Sequence, residues 1–365
     1  LRQFGYPAEE HKVTTEDGYI LTNFRIPNPG GYPILILHGL GATCDCWLLR
    51  DPSVDIVFRL WRLGYDVWFW NARGNLYSRE HVNLTHTDNK FYLFSMTELG
   101  LYDTTATIDY ILAHTGFKDV ITLGHSMGTT NVLIAASLRP EYQDKVRLNM
   151  LWGQSVFIGN MNSKGGLEVF YTKYQKYNYN NQQSAFAGSA FQKKIMSVFC
   201  DPDNKIGQMC IYILGAMSGF GSTQTVESAA QKMTTKYPSG SSLNVAKHMV
   251  QNMRSGEFTQ LSYGLKGNMK RYGAPTPPSY PIGNVTTPTA IYYACCNDQL
   301  SDAKDAHILK RRLRNVVQFK EIAYKYWNHG DYLWAKDGYK LLYRDALMLI
   351  DQYTPLEYRS RIPFE

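Results

Sequence analysis

The 365-residue sequence predicts an α/β fold, a mostly parallel central sheet flanked by helices and interrupted by one long, largely helical insertion. Three observations predict it. Short apolar runs alternate with helical stripes up to about residue 151. The alternation then lapses for roughly 130 residues rich in Tyr, Asn, Gln, Ser and Gly, and resumes at Ala290. The chain also exceeds the ~250–300 residues at which one hydrophobic core stops growing. Residues 1–152 and 288–365 are therefore read as the core domain and 153–287 as a cap.

The elements follow in order. His11 to Thr15 and Tyr19 to Ile26, joined by Glu16-Asp17-Gly18, form a hairpin with a glycine turn. Tyr32 to Leu37 is apolar without alternation, as a strand buried on both faces requires, and ends in the loop His38-Gly39-Leu40-Gly41. Val54, Val57, Phe58 and Trp61 make one helical stripe over Val54 to Leu63, closed by Gly64. Strand Tyr65 to Trp70 comes next, then helix Tyr102 to His114, strand Val120 to Leu123, helix Thr129 to Leu138 and strand Val146 to Leu151. The insertion opens with a polar tract, Tyr171 to Asn181, and Leu243 to Met253 has helical spacing. Strand Ala290 to Ala294, helix Ala303 to Arg312, strand Val316 to Ile322 and helix Tyr339 to Tyr353 complete the pattern.

Composition narrows the function classes. With 44% hydrophobic and 19% charged residues the chain folds rather than remaining disordered. The net charge, 38 − 31 = +7, is scattered, and its densest cluster, Lys310 to Arg314, sits at a helix end where the dipole favours cations. No nucleic-acid-binding motif accompanies it, so a nucleic-acid partner is not expected, though mild basicity favours approach to anionic lipid surfaces. No apolar run reaches the ~18–20 residues of a transmembrane helix. A first residue of Leu1 suits a mature chain after signal-peptide removal, and Asn83-Leu84-Thr85 and Asn284-Val285-Thr286 are glycosylation acceptors in a secretory compartment. Cys200 and Cys210 are spaced either to close a short loop or to remain free. Cys295 and Cys296, adjacent and strained if bonded, are read as small buried residues; Cys44 and Cys46 stay unassigned.

The sharpest motif is Gly124-His125-Ser126-Met127-Gly128, between a strand and a helix. A serine on such a turn is lifted clear of the sheet, and its flanking glycines let the backbone crowd together. The hydroxyl needs a histidine to take its proton. If the chain order is serine, acid, histidine, the candidates are His307, on a helix, and His329, in a loop after a strand, where α/β sites are assembled. His329 is the better base. Asp298, also in a strand-end loop, is the acid that orients it; Asp302 is explained by a helix N-cap. The oxyanion donors are the N–H groups of Met127 and Leu40, with His38 and His125 as structural neighbours.

These residues resemble the acid lipases of the α/β-hydrolase superfamily, the group of gastric, lysosomal acid and insect digestive lipases. The resemblance runs through Phe4-Gly5-Tyr6-Pro7, Thr15 to Leu21, His38-Gly39-Leu40, Tyr65 to Trp68, Asn71 to Asn75, Tyr102-Asp103, Gly124-His125-Ser126, Asn297-Asp298 and Asn328 to Asp331. It implies the α/β-hydrolase fold, the triad Ser126, Asp298 and His329, a cap with a movable lid, and hydrolysis of neutral lipid esters without metal or organic cofactor. It implies a secreted or lysosomal protein in peripheral contact with lipid droplets or emulsions, and a cap disulfide for which Cys200 and Cys210 are the natural pair. The chain departs from the family pattern at Met127, where glutamine is usual, in the loop Gly41 to Trp47, at Cys295-Cys296, and in the Tyr/Asn/Gln tract. A carboxylesterase or acyltransferase with the same triad, or a lipid-binding or storage protein with a vestigial site, are the competing readings.

Overall fold

A computed structural model of the chain describes residues 1–162 and 218–360, with residues 168, 172, 184–187 and 215 between them. Its strands are β1 (Glu9–Thr14), β2 (Tyr19–Ile26), β3 (Pro33–Leu37), β4 (Asp66–Phe69), β5 (Glu80–His81), β6 (Val120–His125), β7 (Val146–Trp152), β8 (Ser184–Ala187), β9 (Ser239–Ser242), β10 (Thr289–Tyr293) and β11 (Val316–Glu321). The main sheet runs β1-β2-β4-β3-β6-β7-β10-β11, with β5 against β2, while β8 and β9 pair apart from it. β1, β2 and β4 pair antiparallel, and every junction from β4 to β11 is parallel.

The apolar runs are explained by burial on both faces. Side chains alternate across a strand, so Leu35 and Leu37 enter one cluster with Ile108 and Leu133, whereas Ile34 and Ile36 enter the other with Phe58 and Leu347. The helices supplying these faces are α1 (Ile56–Arg62), α2 (Thr105–Thr115), α3 (Met127–Leu138) and α8 (Arg344–Tyr353). Between β7 and β10 lie α4 (Glu227–Lys236), α5 (Leu243–Ser255) and α6 (Gly264–Tyr272), and α7 (Ala303–Arg312) joins β10 to β11. The stripe Val245, Ala246, Met249, Val250 and Met253 of α5 packs into the first cluster beside Val156 and Phe157.

The expected helix at Val54 begins at Ile56, with Asp55 at its N-cap. Those at Tyr102 and Tyr339 begin as wider turns, Leu99–Thr104 and Tyr339–Tyr343, before tightening into α2 and α8. Lys310, Arg311 and Arg312 form the last turn of α7. Cys295 and Cys296 are bonded to each other rather than packed as small buried residues. The turn after β10 leaves one half-buried and the other exposed, so there is no core at this point for thiols to fill. Cys44 and Cys46 are buried free thiols, while Cys200, Cys210 and, apart from Thr172, the polar tract lie outside the described residues.

Asp55 gives the fold a pH dependence. Burial pushes its carboxyl from 3.8 up to about 7, against the pull of Arg50, whose backbone N–H donates to it at 3.2 Å. A raised folded-state pKa means that the folded chain holds this proton more tightly than the unfolded one. The stabilisation is complete below about pH 4 and is lost as pH rises through about 7. Asp55→Asn is expected to raise the melting temperature at mildly alkaline pH and to leave it unchanged below about pH 4; a constant difference across a pH series of thermal melts would refute this.

Candidate active site

The parallel strands bring their C-terminal ends together, and every candidate follows such an end: Leu40 after β3, Ser126 after β6, Asp298 after β10 and His329 after β11. Ser126 has φ 54° and ψ −125°, and no other non-glycine described residue has positive φ. The turn is held from both sides. A Cβ on Gly124 would lie 2.7 Å from the Gly128 carbonyl carbon, and one on Gly128 would lie 2.5 Å from the Leu37 oxygen. The strand and helix meet so closely here that only glycines fit.

The acid and the histidine are in contact. His329 Nδ1 donates to the Asp298 carboxylate, 2.9 Å from Oδ2 and 3.0 Å from Oδ1. Asp298 Oδ1 also accepts the N–H groups of Leu300 and Ser301, each at 2.9 Å. Two backbone donors thus orient the carboxylate independently of the histidine. His329 Nε2 is buried and has no hydrogen-bond partner among the described residues. The Ser126 N–H donates to the Trp152 oxygen at 3.1 Å, and a Cβ on the next residue, Gly153, would lie 3.3 Å from His329 Cε1. The serine turn and the imidazole thus both lie at the end of β7.

Gly39 sits directly against Ser126: a Cβ there would lie 3.0 Å from Ser126 Cβ and 3.4 Å from Oγ. This places the Leu40 backbone beside the serine, and among the described residues the Leu40 N–H has no backbone acceptor. Met127 opens α3, so its N–H has no acceptor within the helix, while its side chain is buried in the core.

His38 and His125 are both committed elsewhere. His38 Nε2 accepts from the Ala72 N–H and Asn75 Nδ2, each at 3.3 Å, which leaves Nδ1–H to donate to the Gly39 oxygen at 2.8 Å. Burial lowers the His38 pKa to about 4 and holds that of His125 well below the usual range, keeping both rings neutral. His125 Nε2–H donates to the His329 carbonyl at 3.0 Å, tying the serine turn to the histidine loop. His307 is exposed on α7 against Tyr293 and Phe319, and Asp302 caps α7 by accepting the Lys304 N–H at 2.7 Å.

Sequence reasoning missed a strap, Ser218 to Thr225, that binds the two loops together. The Ser218 carbonyl accepts from the backbone N–H groups of His329 (3.0 Å) and Gln299 (3.3 Å), and the Phe220 carbonyl accepts from Asn297 Nδ2 (2.9 Å). Ser222 and Thr225 donate to the buried Asp331 carboxylate at 2.5 and 2.9 Å. The one advance signal was Gly219, whose Cβ would lie 2.0 Å from the Asn297 oxygen.

One group among the described residues has metal-type ligands in reach of one another, Glu9, His11 and His114. Arg25 Nη1 lies 2.9 Å from Glu9 Oε2 and 3.1 Å from His114 Nε2, so a guanidinium already supplies the positive charge there.

A mostly parallel sheet, a strained serine between strand and helix, and an aspartate-held histidine at the same sheet edge are the features of a serine ester hydrolase of the α/β-hydrolase fold. The comparisons agree. Residues 1–51 match the model of a partial α/β-hydrolase lipase region, and residues 32–163 that of the α/β hydrolase fold. The chain is 34% identical over 353 residues to Lipase 1 of Drosophila melanogaster, covering 96% of this chain and 78% of that one. It is 31% identical over 372 residues to gastric triacylglycerol lipase of Bos taurus, covering 96% and 89%. An α/β hydrolase fold protein from Chitinophaga pinensis, 13% identical, superposes with a TM-score of 0.56 over 96% of this chain and 99% of that one, a likeness of fold. The chain belongs to the acid lipase family of the α/β-hydrolase superfamily.

Proposed function

We propose that the chain is a lipase that hydrolyses neutral lipid esters, triacylglycerol or steryl ester, through an acyl-serine intermediate. Ser126 Oγ attacks the ester carbonyl while its proton passes to His329 Nε2. The N–H groups of Leu40 and Met127 hold the oxyanion, and Asp298 keeps the imidazole proton on Nδ1 and stabilises the imidazolium. His329 then gives its proton to the leaving alcohol oxygen, and water releases the fatty acid by the same steps. The observation that carries this reading is the grip of Asp298 on His329 Nδ1, which leaves Nε2, buried and without a hydrogen-bond partner among the described residues, as the base. No metal or organic cofactor has a part in these steps.

The core is residues 1–152 and 288–365 and the cap 153–287; the strap from Ser218 supports a cap edge at the site. The secretory pathway, ending in secretion or the lysosome, fits the bonded Cys295–Cys296 pair and the exposed sequon residues Asn83 and Asn284. Contact with droplets or emulsions is read as peripheral, and among the described residues no helix is long and apolar enough to cross a membrane.

Fatty-acid release from emulsified long-chain triacylglycerol at acidic and neutral pH tests the reading. The wild-type chain is expected to release acid, and Ser126→Ala to lose at least about a thousandfold in rate. Turnover of only small esters would make it a carboxylesterase, transfer to an added alcohol an acyltransferase, and tight lipid binding without turnover a binding protein.

A further inference from the structure

Helix α6 is built inside out. Its one buried side chain is polar: Asn268 Nδ2 donates to Ser262 Oγ (3.1 Å) and to the Pro275 carbonyl (2.9 Å), and its Oδ1 accepts the Tyr263 N–H (2.8 Å). Its two long apolar side chains, Leu265 and Met269, lie one turn apart and are 66% and 50% exposed. In an amphipathic helix of a soluble core the two kinds of residue would be exchanged. The outward face is also charged in one sense. Lys266 and Lys270 are exposed, each next to one of the apolar residues, and have no ion-pair partner among the described residues. Between Glu257 and Asp298 the sequence has no acidic residue. Arg271 is already engaged, 2.7 Å from Glu98 Oε1 and over the Tyr263 ring. At Gly264, the first residue of the helix, an open groove of about 570 Å³ is lined by Lys247 and Arg254 of α5.

We propose that α6 docks the protein on an anionic lipid surface, with Leu265 and Met269 entering the acyl layer and Lys266 and Lys270 meeting the headgroups. Charge complementarity selects this occupant. A zwitterionic or neutral surface would satisfy the two apolar side chains and leave the lysines without counter-charge, whereas each cation at an anionic leaflet strengthens binding about fivefold. The arrangement is that of an interfacial helix, apolar side chains flanked by lysines, set on a folded scaffold that supports its polar face. The inference deepens the lipid-ester reading by naming the surface that meets the lipid aggregate, and its test does not depend on turnover.

The test is flotation of the full chain, carrying Ser126→Ala to silence any hydrolysis, with vesicles of phosphatidylcholine alone and of phosphatidylcholine mixed with phosphatidylserine. The chain is expected to partition onto the anionic vesicles, less so as salt is raised. Lys266→Glu with Lys270→Glu is expected to weaken that partition by at least about twentyfold. Leu265→Ser with Met269→Ser is expected to weaken it by about tenfold or more. Thermal melts of both variants, and their hydrolysis of a short water-soluble ester in the Ser126 background, stay at the parent level because these side chains point into solvent. Equal partition of parent and variants overturns the proposal. So does an absence of binding to anionic vesicles, or a dimer in sedimentation that both variants dissolve. If the wild type fails on every ester while flotation follows α6, the hydrolase reading falls and the docking surface stands.

Discussion

Asp298→Asn is expected to lower kcat for ester hydrolysis by about ten-thousandfold while leaving the fold intact. The backbone decides which way the new amide faces. Oδ1 of Asp298 is held by the Leu300 and Ser301 N–H groups, so an asparagine keeps its oxygen there and turns its NH₂ toward His329. An NH₂ donates, and His329 Nδ1 must then accept, which moves the imidazole proton to Nε2. In that tautomer Nε2 cannot take the serine proton, and no carboxylate remains to stabilise an imidazolium. The loss corresponds to roughly 5 kcal/mol of barrier. The measurement is kcat on a soluble short-chain ester, together with a thermal melt to establish that the variant is folded. A loss below about tenfold would mean that His329 is not the base, or that Asp298 does not set its tautomer. Asp302→Asn serves as the control, since that carboxylate caps α7 and its replacement keeps a capping oxygen.

The parts of this site that were legible in the sequence are those with local signatures. The serine turn needs two close-packed glycines between a strand and a helix, and all three features occupy consecutive residues. β3, β4, β6 and β10 are covered on both faces, so they appear as short, mostly apolar runs with little alternation, and the order of strands and helices then places Asp298 and His329 at the sheet edge that carries Ser126. The strap left no such mark because it works through main-chain carbonyls of Ser218 and Phe220, which any residue could supply. The Cys295–Cys296 bond was misjudged because adjacency was weighed as strain alone, whereas the decisive feature is an exposed turn that gives two thiols no core to enter. The inverted α6 was hidden for a related reason. Leu265 and Met269 have helical spacing, and spacing does not reveal which face a tertiary partner such as the Asn268 network pulls inward.

Arg73→Met is expected to destabilise the fold by about 3–5 kcal/mol. Arg73 is wholly buried, with Nη2 2.6 Å and Nε 2.7 Å from Asp103 Oδ1. Nη1 and Nη2 reach the Asp17 carboxylate at 2.5 and 2.8 Å, and the guanidinium lies 3.8 Å from the centre of the Tyr19 ring. One cation thus joins the hairpin turn, the loop after β4 and the turn leading into α2. Burial would push the Asp17 carboxyl upward, but the Arg73 hydrogen bonds outweigh it and hold the carboxyl below its ordinary value. Methionine fills much of the volume but leaves the buried Asp103 charge with no counter-ion, and that orphaned charge dominates the cost. The double variant Arg73→Met with Asp103→Asn separates this from lost packing. Asparagine removes the charge yet keeps an oxygen for the Arg73 backbone N–H, now bound to Asp103 Oδ2 at 3.0 Å. It is expected to recover more than half of the single variant's loss in denaturant unfolding. A double variant no more stable than Arg73→Met would show that the guanidinium acts through packing on Tyr19 and Asp17, and that charge pairing with Asp103 contributes little.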